Sequence, residues 1–406
     1  MRDIQVTLPD GQTLSRDWLD SKAEGPQNIL RQHYGSRLVC GCNEKMLPLC
    51  IVNRGSYFLR RAPETGPEHE HYCPSYEPSD TFTGRQIYER GVIKEDDEGY
   101  FHLKLSIPLG IRSGANKKGD GETGDRVKKN EKKNGMELLG LLHCLWEAAK
   151  FHRWSPRMEG RRRYPQIYKY LIDAARNSKY GRNKSLLDNF WMPPPWRPEN
   201  EEENELARKK LFAEVMSRNQ RIIIVGKIHR IVHDNSKGTA IKLFQTDNNL
   251  LFWITPKHET AIADKSQELL QKDMDAIVEE DNIFIAATVE RGSDTRYNVN
   301  HMAIMVTTHQ FIPYRSIEEK NICNKLVENK RHFIKMLEYD SGGKVGIPNF
   351  YLIDGEDKMP MYIINDTERK IDKLRMKSVE ENLLQNIPMW HWYVTAECPS
   401  LPSSST

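Results

Sequence analysis

Four of the chain's seven cysteines fall in the stretch "CGCNEKMLPLCIVNRGSYFLRRAPETGPEHEHYC", from Cys40 to Cys73. A structural zinc ion takes four cysteine or histidine donors in a tetrahedron, usually as two close pairs from two turns. Here Cys40 and Cys42 flank a glycine, and His69, His71 and Cys73 close the segment. Such a pattern requires two turns to meet and the chain between them to fold back, with a β-hairpin turning near Asn53 to Ser56. The candidate ligands are Cys40, Cys42, His69 and Cys73, with His71 and Cys50 in reserve. Cys50 lies in the apolar run Met46 to Val52 and reads as a hairpin core residue. The competing reading is a set of buried thiols beside exposed histidines, but "EHEHYCPSYEP" offers little core. With all four positions filled by protein, the expected cofactor is structural zinc.

The cysteine total is odd, and Cys144, Cys323 and Cys398 stand far apart, which argues against a disulfide framework. At 406 residues the chain predicts two or three packed units. With 38% hydrophobic and 29% charged residues and a mean hydropathy of −0.70, it favours several small cores over one large one. The longest apolar runs, "RIIIVG" and "LLFWIT", are strand-sized, and the N-terminus lacks a secretory pattern. The expectation is a cytoplasmic protein with no membrane partner. A formal charge of only +3 means that any nucleic-acid reading must rest on where the charge sits.

Residues 1–111 read as a β unit carrying the zinc site, and 112–135, rich in glycine and lysine, as a flexible loop. A basic helical module is expected over 136–198. Its helices are "MELLGLLHCLWEAAKFHRW", "YPQIYKYLIDAARNSKYG" and a short third at "SLLDNFW". Arg153, Arg157, Arg161, Arg162, Arg163, Lys169, Lys179 and Arg182 are its candidate nucleic-acid contacts, interleaved with aromatic residues. Three helices with a basic turn suit a winged-helix-like arrangement. The plainer reading makes the aromatics a core and the bases its solvated face. It does not account for the single-sign cluster in "RMEGRRRY".

Residues 199–310 read as a β-rich region of paired strands with a helix around 259–279. Residues 311–406 run helix, strand, strand, strand, with a frayed tail at "CPSLPSSST". That order resembles the core of restriction-endonuclease-like nucleases. The resemblance implies a magnesium ion held between an acid opening the second strand, after a proline, and an acid and lysine on the third. Asn349 follows Pro348 where that aspartate is expected, and "MYIIND" lacks the acid-x-lysine pattern. Asp354, Asp366 and Lys370 are the weak catalytic candidates, so a degenerate domain retained for binding is favoured.

The blocks "CGC", "RRAPETGPEHEHYCPSYEP", "LLGLLHCLWEAAKFHRWSP", "FIPYRSIEE" and "RHFIKMLEYD…IPNFYLID" carry a resemblance over most of the chain. The chain resembles an uncharacterised bacterial family, a domain of unknown function common on plasmids and integrative elements and marked by three N-terminal cysteines. The resemblance maps those cysteines to Cys40, Cys42 and Cys73, and the histidine to His69. The overall expectation is an α+β multidomain protein that binds DNA without catalysis within a mobile element. A magnesium-dependent nuclease, or an adaptor subunit of a protein complex of the element, are the alternatives.

Overall fold

The computed structural model describes residues 3–53, 55–96, 98–111, 133–247, 249–270, 281–340, 345–355, 358–365 and 369–403. The segment expected to be a flexible loop lies largely outside them. Among the described residues the short apolar blocks pair into four sheets.

The first sheet is antiparallel throughout, in the order Thr13–Ser15, Gln5–Thr7, Arg37–Cys40, Leu47–Asn53, Tyr57–Arg61. The expected hairpin is present, with Gly55 in its turn at φ 80, a conformation that favours glycine, and the segment "VTLPDGQT" forms another that turns through Pro9 to Gly11. Leu38, Leu49 and Val6 alternate inward and are fully buried.

Residues 222–307 form a closed ring of five strands. Ile222–Asp234 pairs antiparallel with Asn282–Arg291 over its first half and with Gly238–Leu243 over its second, bending at a bulge between Ile228 and Arg230. Gly238–Leu243 pairs with Phe252–Trp253, which runs parallel to Tyr297–Thr307. Tyr297–Thr307 returns antiparallel to Asn282–Arg291 and closes the barrel. Ile222, Ile224, Ile241, Phe252 and Ile285 fill the interior, and the helix Pro256–Leu270 adds Ile262 and Leu269 to it. Ile223, Val225, Phe284 and Ala286 point the other way and pack against the helix Leu138–Ala148. Burial on both faces explains why "RIIIV" is an unbroken apolar run rather than an alternating one.

The C-terminal sheet has the order Trp390–Tyr393, Met359–Ile364, Phe350–Leu352, Phe333–Lys335, Arg153–Trp154. Its three central strands form an antiparallel meander. The helix Lys370–Leu384 then crosses over to the parallel strand Trp390–Tyr393. The sequence reading missed both the crossover helix and this last strand. The tail expected to be frayed is instead docked as far as Pro402: Trp390 Nε1 donates to Ser400 O at 3.0 Å, Leu401 packs on the Phe333/Phe350 core, and Arg331 donates to Pro402 O.

Residues 136–198 differ from the winged-helix-like module expected. Leu138–Ala148 is buried on nearly every side, including His143, Cys144 and Glu147, so it is a central helix rather than a surface one. Tyr164–Arg176 is the second helix. "SLLDNFW" forms a 3-10 turn, Leu186–Asn189, capped by the Ser185 hydroxyl, and then the strand Phe190–Trp191. The short strands of this region join three different sheets. Arg153–Trp154 edges the C-terminal sheet, Ser178–Tyr180 pairs with Phe101–Leu103, and Phe190–Trp191 pairs with the barrel.

Candidate metal centre and the cationic cleft beside it

Cys40 ends the strand Arg37–Cys40 of the first sheet, and Gly41 turns the chain so that Cys42 faces the same point. The opposite turn is built by Gly66–Glu68, with His69 after it and the Cys73 N–H bonded to Glu70 O at 2.8 Å. Asn43 ties the two turns together, its Nδ2 donating to Glu68 O at 2.8 Å. Tyr72 Oη adds a second tie, donating to Cys42 O at 3.0 Å.

Cys40, Cys42, His69 and Cys73 are all buried, with their donor atoms within 4.8 Å of one another. Cys40 Sγ to Cys73 Sγ is 3.8 Å, Cys42 Sγ to His69 Nδ1 is 3.3 Å, and Cys73 Sγ to His69 Nδ1 is 3.7 Å. With zinc–sulfur bonds of about 2.3 Å and zinc–nitrogen bonds of about 2.0 Å, a tetrahedron has edges of about 3.5–3.8 Å. The donor set fits that ion. Hydrogen bonds from Cys40 and Cys73 hold the Cys42 thiol far below the usual range, while Cys73 is pushed up by its bonds to Cys40 and Cys42. Three thiols that close favour one thiolate among them, and a divalent cation would allow all three to ionise.

The chain belongs to the family described as "Protein of unknown function (DUF1173)". The family model matches residues 13–395. No curated protein and no solved structure matches the chain.

In this DUF1173 chain the two reserve ligands stand apart from the centre. His71 Nε2 is 3.2 Å from Gly355 O, and Cys50 lies half-buried in Leu47–Asn53, paired with Arg37 and Arg60.

Beside the metal centre lies a cleft of about 1080 Å³, walled by the Tyr57–Arg61 strand on one side and the Pro156–Tyr170 region on the other. Nine arginines and lysines line it against Glu77, Glu147 and Asp173. Burial raises Glu77, but Lys150, Arg61 and Arg85 outweigh it and hold its carboxyl well below the usual range. Arg85 also pairs with Glu147, Nη2 to Oε2 2.7 Å. Glu77 and Glu147 are therefore paired with internal cations, and Asp173 pairs with Arg176 at the surface. Arg161 and Arg163, both exposed, have no side-chain partner among the described residues. Phe58, Phe101, Phe151 and Tyr170 supply aromatic surface.

The eight basic candidates divide. Arg157, Arg161, Arg162 and Arg163 line the cleft. Arg162 is a brace: its guanidinium donates to Phe151 O at 2.9 Å and Gln310 O at 3.0 Å, and burial pulls its pKa down to about 10. Arg153 donates to Tyr76 O at 2.5 Å. Arg157 pairs at the surface with Asp17 at 3.6 Å. Lys169 and Arg182 are exposed away from the cleft lining, and Lys179 sits over the Tyr100 ring at 4.0 Å. Sequence reasoning missed the second wall, Arg16, Arg60, Arg61 and Arg85. The Arg60-Arg61 pair just ahead of the second ligand turn was the available signal.

The weak catalytic candidates do not converge. Asp354 is gripped by Arg331, Nε to Oδ2 2.7 Å and Nη2 to Oδ1 2.8 Å, and accepts from His332 N at 2.9 Å. Lys370 is exposed at the start of its helix, and Asp366 lies outside the described residues. Asn349 is buried. Its Nδ2 donates to Glu319 Oε1 at 2.8 Å, and its Oδ1 accepts from Ile363 N at 2.8 Å. Lys335 closes the same cluster, 2.7 Å from Glu319 Oε1.

Proposed function

We propose that this protein is a zinc-stabilised DNA-associated protein, and that its cationic cleft receives the phosphates and bases of a DNA strand without cleaving it. The observation that carries this reading is the unpaired state of Arg161 and Arg163 at the mouth of a cleft whose carboxylates are already neutralised. Unpaired guanidiniums beside aromatic rings suit phosphate neutralisation and base stacking together. The cleft slightly exceeds the usual small-ligand range of about 300–1,000 Å³, which suits a strand or strand end rather than a duplex. The zinc would act structurally, fixing the sheet whose last strand carries Phe58, Arg60 and Arg61.

Binding is favoured over cleavage because Asp354 and Asn349, the nearest equivalents of nuclease ligands, are both committed to internal bonds. The resemblance to a plasmid-borne family supports a role in the transfer, maintenance or defence of a mobile element, and its other proteins remain the competing partners.

The test is the salt dependence of binding to a labelled oligonucleotide, for the parent and for Arg161→Glu/Arg163→Glu. We expect at least tenfold weaker binding by the variant and a log–log salt slope reduced by about one to two. No binding by the parent at low salt, or an unchanged slope in the variant, would overturn the reading.

A further inference from the structure

One wall of the cleft is a helix face whose side chains differ from those around it. Gln166, Tyr170 and Asp173 lie on the helix Tyr164–Arg176, and Asn177 caps its C-terminal end. Their spacing of four, three and four residues brings them to one stripe, and all four line the cleft. Ile167, Leu171 and Ala175 anchor the neighbouring face in the core, which fixes the stripe toward the cleft. Lys169 and Arg176 occupy the solvent side. A face that is merely solvated would carry such charges throughout, whereas this one carries a phenol ring and two carboxamides.

Those groups are uncommitted. The Gln166 and Asn177 carboxamides and the Tyr170 hydroxyl have no side-chain partner among the described residues. The Tyr170 ring is 49% exposed and rests edge-on against buried Phe151, with 6.0 Å between ring centres. The Lys169 ammonium stands 6.0 Å from the same ring centre, at the limit of cation–π range. Asp173, the acid of the stripe, is met by Arg176 at 2.5 Å. Asn177 is held by its backbone: its N–H donates to Asp173 O at 3.1 Å, and its O accepts from Phe101 N at 2.9 Å.

The helical rise places Tyr170 about 6 Å and Asn177 about 16 Å along the axis from Gln166. The two carboxamides therefore cannot serve one base, and a ligand that uses both must extend along the helix over several units. The partnerless Arg161 and Arg163 precede the helix, so the free cations gather at the Gln166 end of the stripe.

We propose that the cleft reads the bases of its strand and prefers adenine. The strand runs along Tyr164–Arg176 with phosphates at Arg161 and Arg163, one base stacks on Tyr170, and Gln166 and Asn177 each bind the edge of another. A carboxamide sets a donor beside an acceptor, which matches N7 and the N6 amino group of adenine in a bidentate pair. Stacking and charge are sequence-tolerant, so any base preference must come from the carboxamides. This inference rests on the cleft reading and adds a specificity that the cleft's charge does not supply.

The experiment measures fluorescence anisotropy of labelled oligo(dA), oligo(dT) and oligo(dC) of equal length, at two salt concentrations. The proteins are the parent, Gln166→Leu, Asn177→Leu, Tyr170→Ala, Tyr170→Phe and Arg161→Glu/Arg163→Glu, with thermal melting to check that each is folded. The parent should bind oligo(dA) at least about fivefold more tightly than the other two. Gln166→Leu and Asn177→Leu should each reduce that ratio and keep the salt slope. Tyr170→Ala should weaken all three strands about tenfold, and Tyr170→Phe should not. The arginine variant should lose affinity for all three and keep the ratio. Equal binding of the three strands by the parent, or a ratio unmoved by both carboxamide variants, would overturn the inference and leave the cleft reading standing. Binding by Tyr170→Ala equal to that of the parent would overturn it in the same way. A parent that binds none of the strands at low salt would overturn both.

Discussion

Asp340 Oδ1 accepts a hydrogen bond from the backbone N–H of Gly140 at 2.6 Å, across 200 residues of chain. Its other oxygen accepts from Glu137 N at 2.8 Å and Tyr88 Oη at 2.6 Å. The carboxylate thus caps the central helix, whose first N–H groups have no intrahelical partner, at the end where negative charge is favoured. Gly140 permits this, since a Cβ there would stand 2.0 Å from Tyr88 Oη. Asp340→Ala leaves several buried donors unsatisfied and should cost about 3 kcal/mol or more in urea unfolding, with Asp340→Asn retaining part of it.

The metal centre should hold one zinc ion per chain by elemental analysis. Cys40→Ser/Cys42→Ser should abolish it and lower the melting temperature, as should a strong chelator. Cys50→Ser and His71→Ala should keep the metal, because neither side chain belongs to the buried donor set. Metal retained by the double cysteine variant would contradict this assignment.

Much of this site was legible because ligand spacing is local: two short turns carry all four donors, and only their meeting had to be inferred. The cleft was half legible. "RMEGRRRY" declared one wall, but nothing nearby in the chain ties Arg60 or Arg85 to it, and Arg162 was indistinguishable in sequence from its neighbours although its guanidinium is consumed by carbonyls. The barrel strands were each visible as apolar blocks. Their closure depends on pairings such as Ile222 with Val289, which no periodicity encodes. The winged-helix expectation failed because "LLGLLHCLWEA" has a stripe and is also buried on its other faces, a distinction set by tertiary packing.

His143 lies on that helix, buried, with Nδ1 lacking a partner and Tyr339 edge-on at 5.7 Å between ring centres. Burial, aided by Arg315 and Lys335, pushes its pKa down to about 3. The unfolded chain binds the proton near pH 6.5, so this contribution is whole above that pH and is lost as pH falls toward the folded value. Near pH 4.5 the loss is about 2–3 kcal/mol. His143→Gln should therefore flatten the stability–pH curve between pH 6.5 and 4, measured by urea midpoints.

Arg331 joins Asp354 to the C-terminal segment, donating both to the carboxylate and, at 2.5 Å, to Pro402 O. The pair is nearly buried, so removing one partner leaves the other charge uncompensated. Arg331→Ala should cost about 3–5 kcal/mol. It should also release residues 398–403, seen as faster hydrogen exchange and earlier proteolytic trimming. Asp354→Ala should show the same instability with no change in any magnesium-dependent property.

Asn349 explains why the sequence reads "IPN" where a nuclease would carry an aspartate. Its carboxamide must donate to Glu319 and accept from Ile363 N at the same time, which an ionised carboxylate cannot do. Asn349→Asp places a second carboxylate within 2.8 Å of buried Glu319, with Lys335 as the nearby cation. The new carboxyl should titrate well above the usual range, because burial and a like charge both oppose its ionisation. A raised folded pKa means that the variant is penalised at neutral pH and regains stability as pH falls through that pKa. We expect destabilisation of about 2–4 kcal/mol at pH 7 and a smaller deficit near pH 5. Plasmid DNA with magnesium should stay intact. Cleavage gained by Asn349→Asp would show that this cluster is an active centre lacking one ligand, and would reverse the non-catalytic reading.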